Sequence, residues 1–333
     1  MNFKNKIPAF AGMTMRYKIL FALLFLFVQV NLQAQNEFTL QPGTVIRLSN
    51  TQRAKELVTT RDEYTAVLSK FDLQSKTQRK DSVTVDDYLQ YTSEQVKDWT
   101  DAEKESFGKV IRSVGSKISS LGLKINMPPK IEIVKSTMKE EGGADGFTRG
   151  AYIVLQDIMV SSPKVENLFI HELFHVLSRY NPDMREKIYN SLGFHKCNEV
   201  AYPKEIADKR LTNPDAPLNN YYITVLNDNQ PVDVMMILYS DLSYQGGSFF
   251  KYLKIGLMEV EGDSSSKTPV IKNNYPVIFE TDKVKNFYEQ VGRNTNYILH
   301  AEEISAEHFV ALLNQAKDLP NPELIEAMKN AMK

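Results

Sequence analysis

The chain carries a single cysteine, Cys197, among its 333 residues. No disulfide can form within it, so the fold must stand on its apolar core. A basic block is also missing. Residues 1–34 hold Lys4, Lys6, Arg16 and Lys18 and no acid; without them, 36 basic residues face 41 acidic ones, a balance of −5. Such a mildly acidic chain has no electrostatic footprint for nucleic acid, and none is expected as a partner. Repeats and low-complexity tracts are absent apart from the short Ser264-Ser265-Ser266 run. The apolar stretch from Ile19 to Val28 is unbroken but short. A bilayer-spanning helix needs roughly 20 residues, about twice that length. No stable membrane insertion is expected. What remains is an ordinary folding composition, with 42% hydrophobic residues. That is enough for one large or two medium domains with a sizeable core.

The N-terminus has the layout of an export signal. Met15-Arg16-Tyr17-Lys18 forms a short basic head, Ile19 to Val28 the apolar core, and Leu32-Gln33-Ala34 ends in a small residue suited to cleavage. Residues 1–34 are therefore read as a signal peptide with Gln35 as the mature start, and export to a periplasm or the exterior is expected. The absence of a cysteine near the cut argues against lipidation. Either Met1 or Met15 can serve as the start, since the arrangement is complete from Met15.

Residues 35–125 read as a helical region. Apolar residues recur at three and four spacing over 51–70 and 101–121, the latter opened by the cap Thr100-Asp101-Ala102-Glu103, and 82–99 is a weaker third helix. The period then changes. Ile131-Glu132-Ile133-Val134 and Ala151-Tyr152-Ile153-Val154-Leu155 read as strands joined through the Gly-rich stretch 142–146. Residues 126–199 are thus expected to form a small sheet and a helix. Ser162 is a suitable N-cap for that helix, with Pro163 in the first turn and Asn181-Pro182 as its stop. A second helix is expected over 183–192, ended by Gly193. Residues 200–290 read as a separate β-containing lobe. It opens with the turn-rich Thr212-Asn213-Pro214-Asp215-Ala216-Pro217 and continues with strands at 221–226 and 232–238 around the turn 227–230. Tyr244-Gln245-Gly246-Gly247 reads as a plain turn before Phe249-Phe250. Residues 291–333 return to helix, the last segment capped by Asn321 with Pro322 in its first turn.

Within Leu168-Phe169-Ile170-His171-Glu172-Leu173-Phe174-His175-Val176-Leu177 lies the pattern His-Glu-x-x-His. On a helix, His171 and His175 stack on one face and can both turn an imidazole nitrogen to one ion, while Glu172 sits one residue round, within reach of a water. The bland alternative is an amphipathic core helix with two surface imidazoles; the apolar flanks and uncharged intervening residues favour the zinc site. This stretch resembles the catalytic helix of the zincin metallopeptidases. The metzincin continuation fails, because Ser178 and Asn181 stand where Gly and His are required. An acidic third ligand is then needed, and Glu303 through Phe309 resembles the gluzincin pattern Glu-x-x-x-Asp-x-Phe, with Glu307 in place of Asp.

That resemblance implies a zinc ion held by His171, His175 and Glu303, with Glu307 orienting a ligating histidine. Residues 303 and 307 share a helix face, whereas Glu302 points about 100° away; Glu302 and Glu199 remain the alternative third ligands. Cys197 is read as a buried small hydrophobe, with a thiolate ligand as the alternative. The resemblance further implies an α+β, zincin-like fold, mostly helical, with a small mixed sheet before the catalytic helix and an inserted lobe. In it, 152–155 would be the edge strand that aligns substrate. Glu172 is expected to act as general base. Tyr297 and His300 are candidate oxyanion donors, His195 a weaker one, and Asn294-Thr295-Asn296 a candidate contact to substrate backbone or a solvated loop. The expected function is that of an exported zinc peptidase acting on a peptide or protein; the alternative is a non-catalytic protein of the same fold that binds a peptide or envelope partner.

Overall fold

The computed structural model describes residues 36–333, so the expected export signal at 1–34 lies outside the described residues. The described chain is a mixed α+β structure with two main sheets. The first begins with two strands in a stretch expected to be helical. β1 (Glu37–Gln41) and β2 (Thr44–Leu48) form an antiparallel hairpin. It turns at Gly43, where φ is +85° and no Cβ is present to object. The alternating burial along Thr44–Leu48 has the period of a half-buried strand, which overrides the helical reading of this stretch.

After the hairpin come helices α1 (Thr51–Val58), α2 (Lys70–Thr77) and α3 (Val85–Gln95). The expected helix over 51–70 is therefore interrupted. Asp62 and Ser69 each close a capping box with the residue three further on. These local side-chain bonds start new turns where a continuous helix would have used backbone partners. The two-residue strand β3 (Val96–Lys97) leads to α4 (Asp101–Ser120), which opens with the expected Thr100–Glu103 box.

β4 (Lys130–Ser136), β5 (Gly146–Arg149) and β6 (Tyr152–Gln156) complete the first sheet in the order β1-β2-β4-β6-β5, with β3 also pairing with β4. β2, β4 and β6 are parallel; β5 runs antiparallel to β6 and forms the edge. This corrects the expectation for 152–155. β6 is an interior strand with both sides paired, so the free edge belongs to β5. Alternation sorts the two faces. Ile131, Ile133, Ile153 and Leu155 join the main core with α4, whereas Val134, Tyr152 and Val154 pack with Ala54 and Val58 of α1.

α5 (Val165–Tyr180) is the central helix, its Phe169, Ile170, Leu173, Phe174, Val176 and Leu177 all buried in the main core. It starts at Val165, not at Pro163, because Ser162 accepts the N–H of Lys164 in a preceding turn and caps that turn instead. Asn181 ends it and Pro182 begins α6 (Pro182–Ser191). That helix stops before Gly193, which has φ +83°, the left-handed geometry common just past a helix end.

The six-stranded lobe sheet is built on β7 (Phe194–Lys196), β8 (Tyr221–Asn227), β9 (Gln230–Tyr239) and β10 (Lys254–Glu261), with the two-residue strands Thr268–Pro269 and Ile278–Phe279 also on β10, all antiparallel. Residues 194–196 thus belong with the lobe and not with α5. Asp228 and Asn229, both at positive φ, make the expected two-residue hairpin turn. α7 (Ala301–Leu313) then returns to the main core beside α5, followed by α8 (Pro322–Ala331). Among the described residues no helix is long and apolar enough to cross a membrane.

Behind the edge strand lies a buried polar cluster. Glu141 accepts the hydroxyls of Tyr64 at 2.7 Å and Tyr88 at 3.0 Å and pairs with Lys76. Its neighbour Glu140 has one oxygen on the Ser136 hydroxyl at 2.5 Å and the other without a partner. Burial raises the Glu140 carboxyl from its ordinary value of 4.5 to about 7. The folded state therefore holds this proton more tightly than the unfolded one. The stability it contributes is complete below pH 4.5 and is lost as pH rises through 7, a swing of about 3 kcal/mol. Denaturation of the parent and a Glu140→Gln variant, followed from below pH 4.5 to above pH 7, should show the parent losing about that much more than the variant; parallel curves would refute the assignment.

Candidate metal centre

α5 presents His171 and His175 one turn apart, their rings 4.9 Å between centroids and nearly perpendicular. Opposite them, the first two turns of α7 carry Glu302, Glu303 and Glu307. His300 caps that helix: its Nδ1 accepts the N–H of Glu302 at 3.0 Å, and the acids of the first turn suit the positive end of the helix dipole. Glu302 and Glu303 are each only 2% exposed. Two carboxylates buried that deeply are tolerable only if they are bonded to donors or cations.

The pairing is systematic. Glu307 Oε1 lies 2.9 Å from His171 Nδ1, and Glu302 Oε1 lies 3.0 Å from His175 Nδ1. Each imidazole therefore has a carboxylate behind it, and each turns its Nε2 toward Glu303 Oε2, at 3.0 Å for His171 and 3.8 Å for His175. Asn213 donates its side-chain N–H to the other Glu303 oxygen at 2.6 Å. Glu302 also accepts the hydroxyls of Ser178 and Tyr189. Bonded to His175 Nδ1, the nitrogen turned away from Glu303, it holds that ring in place.

The donor set passes a direct test. His175 Nε2 is buried with no hydrogen-bond partner, an arrangement that costs free energy in a protein interior and that a bound cation, displacing any ring proton, would relieve. One atom each from His171, His175 and Glu303 lie within 4.8 Å of one another. Two imidazole nitrogens and a carboxylate oxygen, inside an excess of negative charge, form a set able to hold a metal cation.

Glu172 is on the flank of this group. Its Oε2 accepts the Thr148 hydroxyl of β5 at 2.8 Å, and its Oε1 packs against Gly146, where an added Cβ would stand 2.7 Å away. Asp215 reaches in from the lobe. Its Oδ1 accepts the Thr148 N–H at 2.7 Å and lies 3.9 Å from His175 Nε2. Arg179 anchors the same segment by donating to the carbonyls of Thr148, Pro214 and Asp215.

The electrostatics follow from five carboxylates around two imidazoles. Burial alone would push His171 down, yet Glu303 and Glu307 outweigh it and hold the ring well above its ordinary value. His175 behaves likewise: burial opposes, but Asp215, Glu303 and Glu302 raise it to about 9. Glu303, which burial would raise, is instead drawn down to about 2 by His175 and His171. Glu172 and Asp215 are pushed up, by burial first.

The remaining sequence candidates fall in different places. Tyr297 is at the site, its ring 5.9 Å from that of His171 and 46% exposed. His300 is spent as the α7 cap and faces Tyr189, which argues against it as an oxyanion donor. His195 lies exposed on β7 against Tyr222, and Glu199 accepts the N–H of Asn219; both are tied to the lobe. Cys197 is buried in a lobe cluster with Val200 and Met235, its thiol pushed up to about 11 by burial, as befits a small hydrophobe. Asn294 exchanges hydrogen bonds with the backbone of Asn321 at the start of α8, so that side chain holds a helix entry and is not free for substrate. Sequence reasoning missed Thr148, Arg179, Asn213 and Asp215. The only signal for the last two was a turn-rich segment, which marks a loop without saying where it folds back.

A metal ion held by this group should bind about 10- to 100-fold more weakly in Glu302→Gln, because the carboxylate behind His175 is lost. Its binding should be unchanged in Gly146→Ala, where the three atoms nearest the added methyl all belong to Glu172. Competitive titration against a chelating dye measures both, and equal affinities in parent and Glu302→Gln would contradict the orienting role.

Compared with family models, with curated proteins and with solved structures, the chain matches none of them, so its functional reading rests on the residues described above.

Proposed function

We propose that this protein is an exported zinc-dependent peptidase of the gluzincin type. The observation that carries the reading is the orientation of the two imidazoles. Each is held from behind by a carboxylate, and both direct Nε2 at Glu303, with the buried His175 Nε2 left unpartnered. His171, His175 and Glu303 would hold the ion. Zinc, when bound, supplies Lewis acidity that brings the ionisation of water down to near neutral pH.

The chain's own groups account for the rest. Glu172, fixed by Thr148 and raised by burial, is a base of suitable strength to take a proton from the attacking water and pass it to the leaving amine. Burial, and then the carboxylates of Glu303, Asp215, Glu172 and Glu307, push the Tyr297 hydroxyl above its ordinary value. It therefore keeps its proton and can donate to the developing oxyanion. Peptides are the favoured substrate class because Glu172 lies against β5, an edge strand able to align an extended chain. The signal-like residues 1–34 support export.

The test is zinc content and turnover measured together. The purified chain should retain about one zinc, Glu303→Ala should retain much less, and Glu172→Gln should keep the metal while losing about 10²- to 10⁴-fold in peptide cleavage. A parent that takes up no zinc when it is supplied would overturn the reading. Undiminished function in Glu172→Gln would favour the non-catalytic peptide-binding alternative.

A further inference from the structure

At Gly146, the residue against which Glu172 packs, lies a cavity of about 80 Å³ that is also lined by Asn213, Asp215 and Tyr297. Its walls are Phe147, Leu211, Leu238, Phe249, Phe250 and Leu253. Glu141 forms part of the floor, but its oxygens are committed to Tyr64, Tyr88 and Lys76, so it offers no free charge to a basic group. Phe249 owes its position to Gly142, where φ is +66° and a Cβ would stand 2.6 Å from the ring; only glycine meets both conditions without strain. Phe250 is 48% exposed, a large apolar side chain left open at the rim.

The edge strand limits where a peptide can lie. The N–H of Thr148 is taken by Asp215 and its carbonyl by Arg179. Gly146, two residues earlier, directs its backbone the same way. An extended chain can therefore add to β5 at Gly146 and not at Thr148. That free position also lines the apolar cavity.

We propose that this cavity selects substrate by accepting one large apolar side chain, leucine or phenylalanine, from a peptide laid against β5 beside Glu172. The assignment deepens the peptidase reading and rests on it. The cavity of about 80 Å³ takes the inner part of one such side chain, whose remainder would lie against the exposed ring of Phe250, and leaves no space for a helix or a second strand.

The test uses the full Glu172→Gln chain and fluorescently labelled hexapeptides of glycine and serine, each carrying a single Phe, Leu, Ala, Asp or Lys. Anisotropy should give binding of the Phe and Leu peptides about tenfold or more tighter than that of the Ala peptide, with Asp and Lys no better than Ala. Adding Phe250→Ser, at the exposed rim, or Ala144→Leu, which narrows the cavity, should erase that preference. Equal binding of all five peptides, or a preference that survives both changes, would overturn the proposal. Parallel cleavage by the parent separates the two readings. Cleavage without apolar preference removes the pocket and keeps the peptidase, whereas preferential binding with no cleavage of any peptide keeps the pocket and removes the peptidase.

Discussion

The interaction on which the site depends is the contact between α5 and α7, two helices far apart in sequence whose facing side chains are charged at the centre of an apolar core. His171 and His175 come from one, Glu302, Glu303 and Glu307 from the other, and none could remain buried alone. Burying a carboxylate without a partner costs several kcal/mol, as does burying an imidazolium. Their mutual pairing offsets that cost, and it aligns both Nε2 atoms on one point. Around this pair the core is ordinary. Phe174 packs on Phe309 with ring centroids 5.7 Å apart, a contact that fixes the separation at which the polar groups meet.

The lobe between the two helices completes the arrangement. Asn213 and Asp215 sit on a segment that Arg179 of α5 ties down through the carbonyls of Pro214 and Asp215, so the lobe is anchored to the same helix that carries the histidines. Gly142, just before the edge strand, and Gly146, its first residue, allow the close approaches that shape the cleft, the one under Phe249 and the other under Glu172. An arrangement with so little slack transmits small displacements. A methyl group at Gly146 would displace the Glu172 carboxylate, the group nearest to it.

Much of the local structure was legible from residue order. The Thr100–Glu103 capping box, the Asn181-Pro182 stop, the hairpin at 227–230 and the His-Glu-x-x-His helix all depend on neighbours within a few positions. Where local signals competed, the reading failed. Thr44–Leu48 has too few residues for its alternation to stand out, and the helix over 51–70 is broken by Asp62 and Ser69, whose caps are recognisable only once the chain direction is known. The edge strand was misassigned because which of β5 and β6 is interior is a matter of pairing, not propensity.

By itself the sequence determined the chemical inventory: two imidazoles and a glutamate on one helix, and acids at 303 and 307 on another, because helical periodicity fixes which side chains stand together within an element. It also determined that the fold has no disulfide to rely on. Only the tertiary structure decided how those elements face each other. It placed Glu302 behind His175, made His300 a cap, and brought Asn213 and Asp215 from a lobe loop onto the site. Most of these contacts join residues far apart in the chain, and no local rule of spacing or propensity encodes them; they follow from the packing of two helices and two sheets around one buried charge cluster.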